Sequence, residues 1–464
     1  MDRTPGSTAV EQASSAPDFE LPGPNDVIDL TDRTGPRIVR EAPPAPPRPG
    51  RAGSVAAGVG VLVIALAICW HLANRLMDGT LGPVTTTYSL AVSTFVLSRF
   101  GFAIVYRPPA WVDHEPTVAI VIPAFNEGAA VARTIDACVA LDYPADRLEI
   151  VCIDDGSTDD TARHMHDAVE RHDGRDVREI LLGINQGKRA AMAAGMRATS
   201  ADIIVFIDSD SHPAPDAVRR LVQGFIDPRV GAISGLTHVR NAATNLLTRM
   251  QAVRYYVSFQ LLKSAESVVG AVTCCSGCFA AYRRSAVMEV LDGWEGQRFL
   301  GVRCTYGDDR ALTNMLLRRG WRCRYAGDAE AWTDAPDTYS TFLRQQLRWK
   351  KSWARESPLL LAHLWRTRPV AFPFVLVGVV ASLASPFVIA YHLTVAASSS
   401  PITLVAYLLG LYLISMGYAL VYRCMRDDGL WWYALAGTGF YLAISPQLLW
   451  AMARIRDGSW GTRG

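Results

Sequence analysis

Five apolar runs of span length bracket a stretch patterned for water, and this alternation limits the folds open to the chain. Ser54–Leu72 and Tyr88–Tyr106 come first; Ala371–Ala397, Ile402–Tyr422 and Leu430–Ala453 come last. Each is long enough to cross a hydrocarbon core of about 30 Å. Arg48 and Arg51 precede the first run and Arg107 follows the second, so the positive-inside rule places both outer ends of that pair in the cytoplasm. Three full spans at the end would carry the C-terminus outside, yet Arg454, Arg456 and Arg463 crowd it. Ser445-Pro446 falls inside the last run, and an interior proline removes a helix hydrogen bond. The sequence therefore predicts a break near Pro446, with Leu430–Ala453 entering and leaving on one side.

Residues 1–50 are rich in Pro, Ala, Gly and charge without helical or strand period, and read as a disordered tail. No apolar core lies near Met1, so a signal peptide is not expected. The formal net charge is only +2, which supplies no global basic field for nucleic acid. Nine cysteines are scattered along the chain. Cys275 and Cys278 form the only CxxC, too few ligands for a zinc site, and are read as thiols kept reduced on the cytoplasmic side.

From Glu115 the pattern becomes that of a soluble α/β domain. Short β-branched runs at Thr117–Pro123, Glu149–Ile153, Val177–Leu182 and Ile203–Ile207 alternate with helical stretches at 127–141, 159–172 and 187–199. This alternation predicts a mainly parallel sheet covered on both faces, with ligands beyond the carboxyl ends of the strands. The expected organisation is a domain over 115–340, interfacial helices over 341–368, a C-terminal membrane region over 370–455 and a cytoplasmic tail over 456–464.

Polar clusters fall where such a sheet binds ligands. Asp154-Asp155-Gly156-Ser157 follows one strand and Asp208-Ser209-Asp210 another. Either is compatible with a plain turn. Read for chemistry, the first accepts hydrogen bonds from a nucleoside, and the second holds a hard cation such as Mg2+ or Mn2+ on a substrate's phosphates. Gly187-Lys188-Arg189 opens a helix, where backbone N–H groups and a cation favour phosphate. Further on, Gly307-Asp308-Asp309-Arg310 pairs two carboxylates, as a general base needs. Gln345-Gln346-Leu347-Arg348-Trp349 then places a cation beside a flat ring, suited to a diphosphate joined to a sugar.

This ordered series resembles the processive family 2 glycosyltransferases of the membrane, with the greatest likeness to bacterial hyaluronan synthases. Phe299–Asn314 is similar to their acceptor and base region, Arg348–Ser357 to the segment after their QxxRW, and Trp460-Gly-Thr-Arg463 to their C-terminal motif. The likeness runs from about residue 55 to the end. One departure is Ser276-Gly277-Cys278, where hyaluronan synthases usually carry Ser-Gly-Pro. Chitin-oligosaccharide synthases share GDDR and the QQLRW run and compete for the assignment.

The resemblance implies a cytoplasmic, Rossmann-like GT-A domain inserted between membrane helices at the cell membrane, with both termini cytoplasmic. It implies an inverting enzyme that extends a polysaccharide from UDP-GlcNAc and UDP-GlcA and exports it. In that reading Asp154 and Asp155 hold uridine, Lys188 contacts the donor and Asp208 and Asp210 hold the metal. Asp309 is the base, with Asp308 and Arg310 tuning and orienting it. Gln345, Arg348 and Trp349 serve the leaving diphosphate and the acceptor sugar, and Trp460 and Arg463 approach the donor. The partners are UDP-sugars, the growing polymer and membrane lipid. A transporter with a degenerate nucleotide-binding domain would be expected to have lost at least one motif. A lipid-carrier transferase would share only the first two.

Overall fold

The computed structural model describes residues 83–457 apart from Ser400 and Asp427. The tail over 1–50, the run Ser54–Leu72 and the site candidates Trp460 and Arg463 lie outside the described residues.

Helix α1 (Pro83–Val105) delivers the chain to the domain, where β1 (Val118–Ala124), α2 (Ala130–Val139), β2 (Leu148–Asp154), α3 (Thr161–Arg171), β3 (Val177–Leu181), α4 (Lys188–Ala198) and β4 (Ile203–Ile207) alternate as expected. The four strands pair in parallel in the order β3-β2-β1-β4. Side-chain alternation splits them between two cores. Ile120, Ile122, Ile150 and Val205 pack with Ile135 of α2 and Met165 of α3, while Val121, Val151 and Ile204 pack with Met192 and Met196 of α4.

Beyond β4 the parallel expectation fails. Strand β5 (His212–Pro213) leads through helix α5 (Ala217–Val222) to β6 (Val230–Val239), and β7 (Phe279–Arg283) then inserts antiparallel between β4 and β6. A hairpin of β8 (Arg298–Phe299) and β9 (Val302–Arg303) follows, and β10 (Arg322–Thr333) lies parallel to β6 and antiparallel to β5. The sheet is mixed, with eight strands. The antiparallel insertion follows a long excursion through α6 (Leu246–Val257), which continues as a π-helical turn at Ser258–Lys263 and a last turn at Ser264–Val268. The two faces of α6 serve different partners. Val253, Tyr256 and Val257 pack on Phe100, Ala419 and Tyr422 of the apolar helices, which couples them to the sheet.

Helix α7 (Asp308–Arg318) precedes β10, and α8 (Tyr339–Thr367) follows it as a 29-residue helix begun by the Thr338 side chain accepting from the Thr341 N–H. Then come α9 (Phe372–Tyr391) and α10 (Pro401–Met425). Among the described residues three helical segments are long and apolar enough to cross a membrane, namely Thr87–Val105, Phe372–Ala396 and Pro401–Met425. The last run is two short helices, α11 (Trp432–Ala443) and α12 (Gln447–Ala453), with the break at residues 444–446 beside Pro446. Two contacts bring the chain back to the domain after α12. The Tyr306 hydroxyl donates to the Ile455 carbonyl at 3.1 Å, and Lys351 pairs with Asp457 at 3.1 Å.

Candidate active site

The carboxyl ends of β1, β2 and β4 carry three polar loops that brace one another. Asp155 is buried, and its carboxylate accepts from the Gln186 and Gly187 backbone N–H groups at 2.8 and 2.9 Å. Burial raises its pKa, and the two amides oppose that shift. Gly156 has φ +69°, and a Cβ there would stand 2.4 Å from the Ile184 backbone, so glycine is required for the two loops to touch. Asp154, also buried, accepts from the Ser157 N–H at 3.1 Å. Asp155 thus shapes the loop that opens α4, while Asp154 holds the turn after β2. The loop after β1 completes the edge: Asn126, at φ +54°, accepts from the Thr158 N–H at 2.9 Å, and Glu127 accepts from the Ser209 hydroxyl at 2.8 Å. The sequence reading missed Asn126 and Glu127 because no acidic pair or glycine pattern marks them.

Lys188, the first residue of α4, forms an ion pair with Asp208 at the end of β4. Asp210 lies two residues on, accepting from the Thr333 hydroxyl at 3.3 Å. Both acids remain partly exposed. Among the described residues no group of three or more His, Cys, Asp or Glu is placed to hold a metal ion. Two oxygen-bearing side chains at a partly open strand end fit a hard cation that completes its shell with water and phosphate.

The chemistry of the second half is organised by α7. Asp308 and Asp309 occupy its first turn, where the helix dipole favours negative charge. The two neighbours diverge in environment. Asp308 is buried and receives Arg189 Nε at 2.7 Å, and Arg189 also donates to the Trp294 carbonyl and to Gln297. Gln297 in turn donates to Glu356, which pairs with Arg355 at 2.8 Å. Asp309 is partly exposed; its Oδ1 accepts from the Arg310 N–H at 2.7 Å and its Oδ2 receives the Cys274 thiol at 3.4 Å. Burial first, then the Asp309 charge, pushes the Cys274 thiol up to about 12, so it stays protonated. Cys278 is raised as well, by burial and then by Asp208 and Asp210. The loop over 274–278 is anchored by Lys263, a buried ammonium that donates to Ser234 and Ser276 at 2.9 and 2.6 Å. Lys263 carries no motif signature, and although Arg189 and Glu356 lie within segments singled out in the sequence, only the fold reveals the contacts they make.

Helix α7 is locked to α8. Gly307 has φ +74°, and a Cβ there would stand 1.9 Å from Ser352 Oγ. Ser352 is one turn beyond Arg348, so the GDDR and QxxRW segments ride on two helices that meet where the Gly307 backbone abuts the Ser352 side chain. Gln345 and Arg348 are half-buried, and the Gln345 Oε1 has no hydrogen-bond partner. Trp349 is 43% exposed, with its ring 6.2 Å from that of Tyr255 on α6.

Acid-tipped parallel strands that pass into a mixed sheet, followed by a helix that opens on two adjacent carboxylates, define a glycosyltransferase of the GT-A fold. The chain belongs to glycosyltransferase family 2: residues 116–352 match the family described as Glycosyltransferase like family 2. It is 30% identical to a hyaluronan synthase of Streptococcus pyogenes over 81% of this chain and 90% of that one. It is 36% identical to an N-acetylglucosaminyltransferase of Rhizobium sp. (strain N33), over 61% of this chain and 65% of the relative. Among solved structures, the mannosyltransferase PcManGT of Pyrobaculum calidifontis, in complex with GDP-Man and Mn2+, superposes with a TM-score of 0.59. That match has 20% identity and covers 85% of this chain and 98% of the other.

Proposed function

We propose that this protein is a processive, inverting polysaccharide synthase that builds a hyaluronan-type chain from UDP-GlcNAc and UDP-GlcA and passes it through the membrane. The observation that carries the reading is the locked pair of helices: a partly exposed carboxylate, Asp309, opens α7, while Arg348 and Trp349 sit one turn from the Gly307–Ser352 contact on α8. In the reaction an acceptor hydroxyl attacks the anomeric carbon of the donor sugar. Its proton passes to Asp309, the new glycosidic C–O bond forms and the anomeric bond to the nucleoside diphosphate breaks. A single base, with no second carboxylate as nucleophile, inverts the centre. Asp308 is fixed by Arg189 as the buried support of that turn. Asp154 and Asp155 shape the nucleoside loop, Lys188 and Arg348 offset the departing diphosphate, Gln345 lines the same cleft and Trp349 supports the acceptor sugar. Asp208 and Asp210 would hold Mg2+ or Mn2+, which neutralises phosphate charge when bound.

The catalytic domain and both ends of the chain are assigned to the cytoplasm. The contacts of Ile455 and Asp457 with Tyr306 and Lys351 support this by bringing the chain back to the domain beyond the broken helix. Trp460 and Arg463 complete the donor site in this reading. A second reading, a poly-GlcNAc synthase, is favoured by Cys278, which stands beside Asp208 where the family loop usually carries proline. Membranes containing the protein, supplied with labelled UDP-GlcNAc and UDP-GlcA singly and together, decide between them. Polymer that requires both donors is the expected result, polymer from UDP-GlcNAc alone selects the second reading, and no polymer from any combination removes both.

A further inference from the structure

Where α8 ends and the chain turns toward α9, guanidinium groups outnumber the carboxylates that serve them. Asp227 is shared, receiving Arg229 Nε at 2.9 Å and Arg322 NH1 at 3.1 Å. Arg368 donates to the Gly320 carbonyl at 2.7 Å, which ties it to the turn just before Arg322. Its own Nε is buried and has no hydrogen-bond partner. Burial, then Arg322, lowers the Arg368 pKa, with Arg229 adding to the repulsion and Asp227 opposing it. One turn earlier Arg318 and Arg366 both act on His363. An orphaned donor among mutually repelling cations is an environment that an anion would relieve.

The position of the cluster selects the anion. Arg368 stands four residues before Phe372, where a span-length apolar helix begins. Beside it Trp365 is 48% and Val370 66% exposed, and the Arg366 guanidinium lies 4.5 Å from the centre of the Trp365 ring. An exposed aromatic, an exposed aliphatic and several arginines at a span entry match the headgroup level of a bilayer. The cluster is also remote from the sugar chemistry. Arg229 precedes β6 and Arg322 opens β10, both at the amino ends of strands, whereas Asp154 and Asp208 lie at carboxyl ends.

We propose that Arg229, Arg322 and Arg368 form a binding site for the phosphate of an anionic membrane lipid, which seats the catalytic domain on the leaflet it faces. The site rests on the reading of Phe372–Ala396 as a membrane span. Native mass spectrometry of the full chain, released from vesicles of equimolar phosphatidylglycerol and phosphatidylcholine, tests it. The wild type should retain phosphatidylglycerol preferentially, and Arg322→Gln/Arg368→Gln should lower that retention about tenfold. Glycosyl transfer in phosphatidylcholine alone should be unchanged. Arg229→Gln, at an exposed position, carries the same expectation if the double variant does not fold. Arg163→Gln, on the outer face of α3, should have no effect. Equal retention of the two lipids by the wild type, or undiminished phosphatidylglycerol in the variants, overturns the site. Complete displacement of the lipid by millimolar inorganic phosphate overturns the lipid assignment in favour of a free anion. A cysteine at Ser398, with Cys424 replaced, should be labelled by an impermeant thiol reagent in intact cells only if Phe372–Ala396 crosses, so a failed span and a failed site are told apart.

Discussion

Asp308 and Asp309 are adjacent, and the structure divides their labour. A buried carboxylate paired with a buried guanidinium is costly to leave half-made. Arg189→Met should therefore destabilise the fold by about 3–5 kcal/mol, read by thermal unfolding, since Asp308 would lose its partner. Little or no loss would mean that Asp308 is neutral or solvated in the native state. Asp309→Asn, by contrast, should unfold at the wild-type temperature and bind UDP normally, while sugar transfer falls by about 10²–10⁴. Turnover near the wild-type rate would remove Asp309 as the base. At the other acidic loop, chelation should abolish transfer and added Mg2+ or Mn2+ should restore it, with Asp210→Ala weakening UDP binding only in the presence of metal. Undiminished activity in EDTA would exclude the metal role of Asp208 and Asp210.

At the scale of elements, α8 joins the site to the membrane helices. Its Lys350 donates to the Ile444 carbonyl at 2.5 Å and to Gln447 Oε1 at 3.2 Å, and Gln447 donates back to the Leu343 carbonyl at 2.9 Å. Ile444 ends α11, so a cation caps the carbonyl end exposed by the break. Burial, then Arg254, pushes the Lys350 pKa down to about 8 from an ordinary 10.5. Between those values the unfolded chain holds a proton that the folded chain has released, so folding becomes more favourable as pH rises through that window. Measured at pH 7 and pH 10, wild type should gain stability relative to Lys350→Met. A constant difference would show that the ammonium is solvated instead of buried at the break.

For the whole molecule, the decisive question is which side of the membrane holds the C-terminus. A cysteine at Gly464, with Cys424 replaced, should resist an impermeant thiol reagent in intact cells and react once the membrane is opened. Labelling of intact cells would place the tail outside and detach Trp460 and Arg463 from the site.

The strands β1 to β4 and the helices between them were legible in the sequence because local periodicity and short connections suffice to specify parallel βαβ units. So were the acidic motifs after β2 and β4, since the carboxyl end of a strand places them there whatever the later topology. Pro446 announced the helix break for an equally local reason, the missing N–H of its ring. Other features required the tertiary structure. The antiparallel β7 joins segments separated by α6, and its placement depends on which edge remains free after β4 has paired. The division between Asp308 and Asp309, the Arg189–Gln297–Glu356 chain that supports it, and the buried Lys263 are decided by contacts between residues far apart in sequence. Burial and pairing of a charge are properties of a three-dimensional neighbourhood, and no periodicity along one chain encodes them.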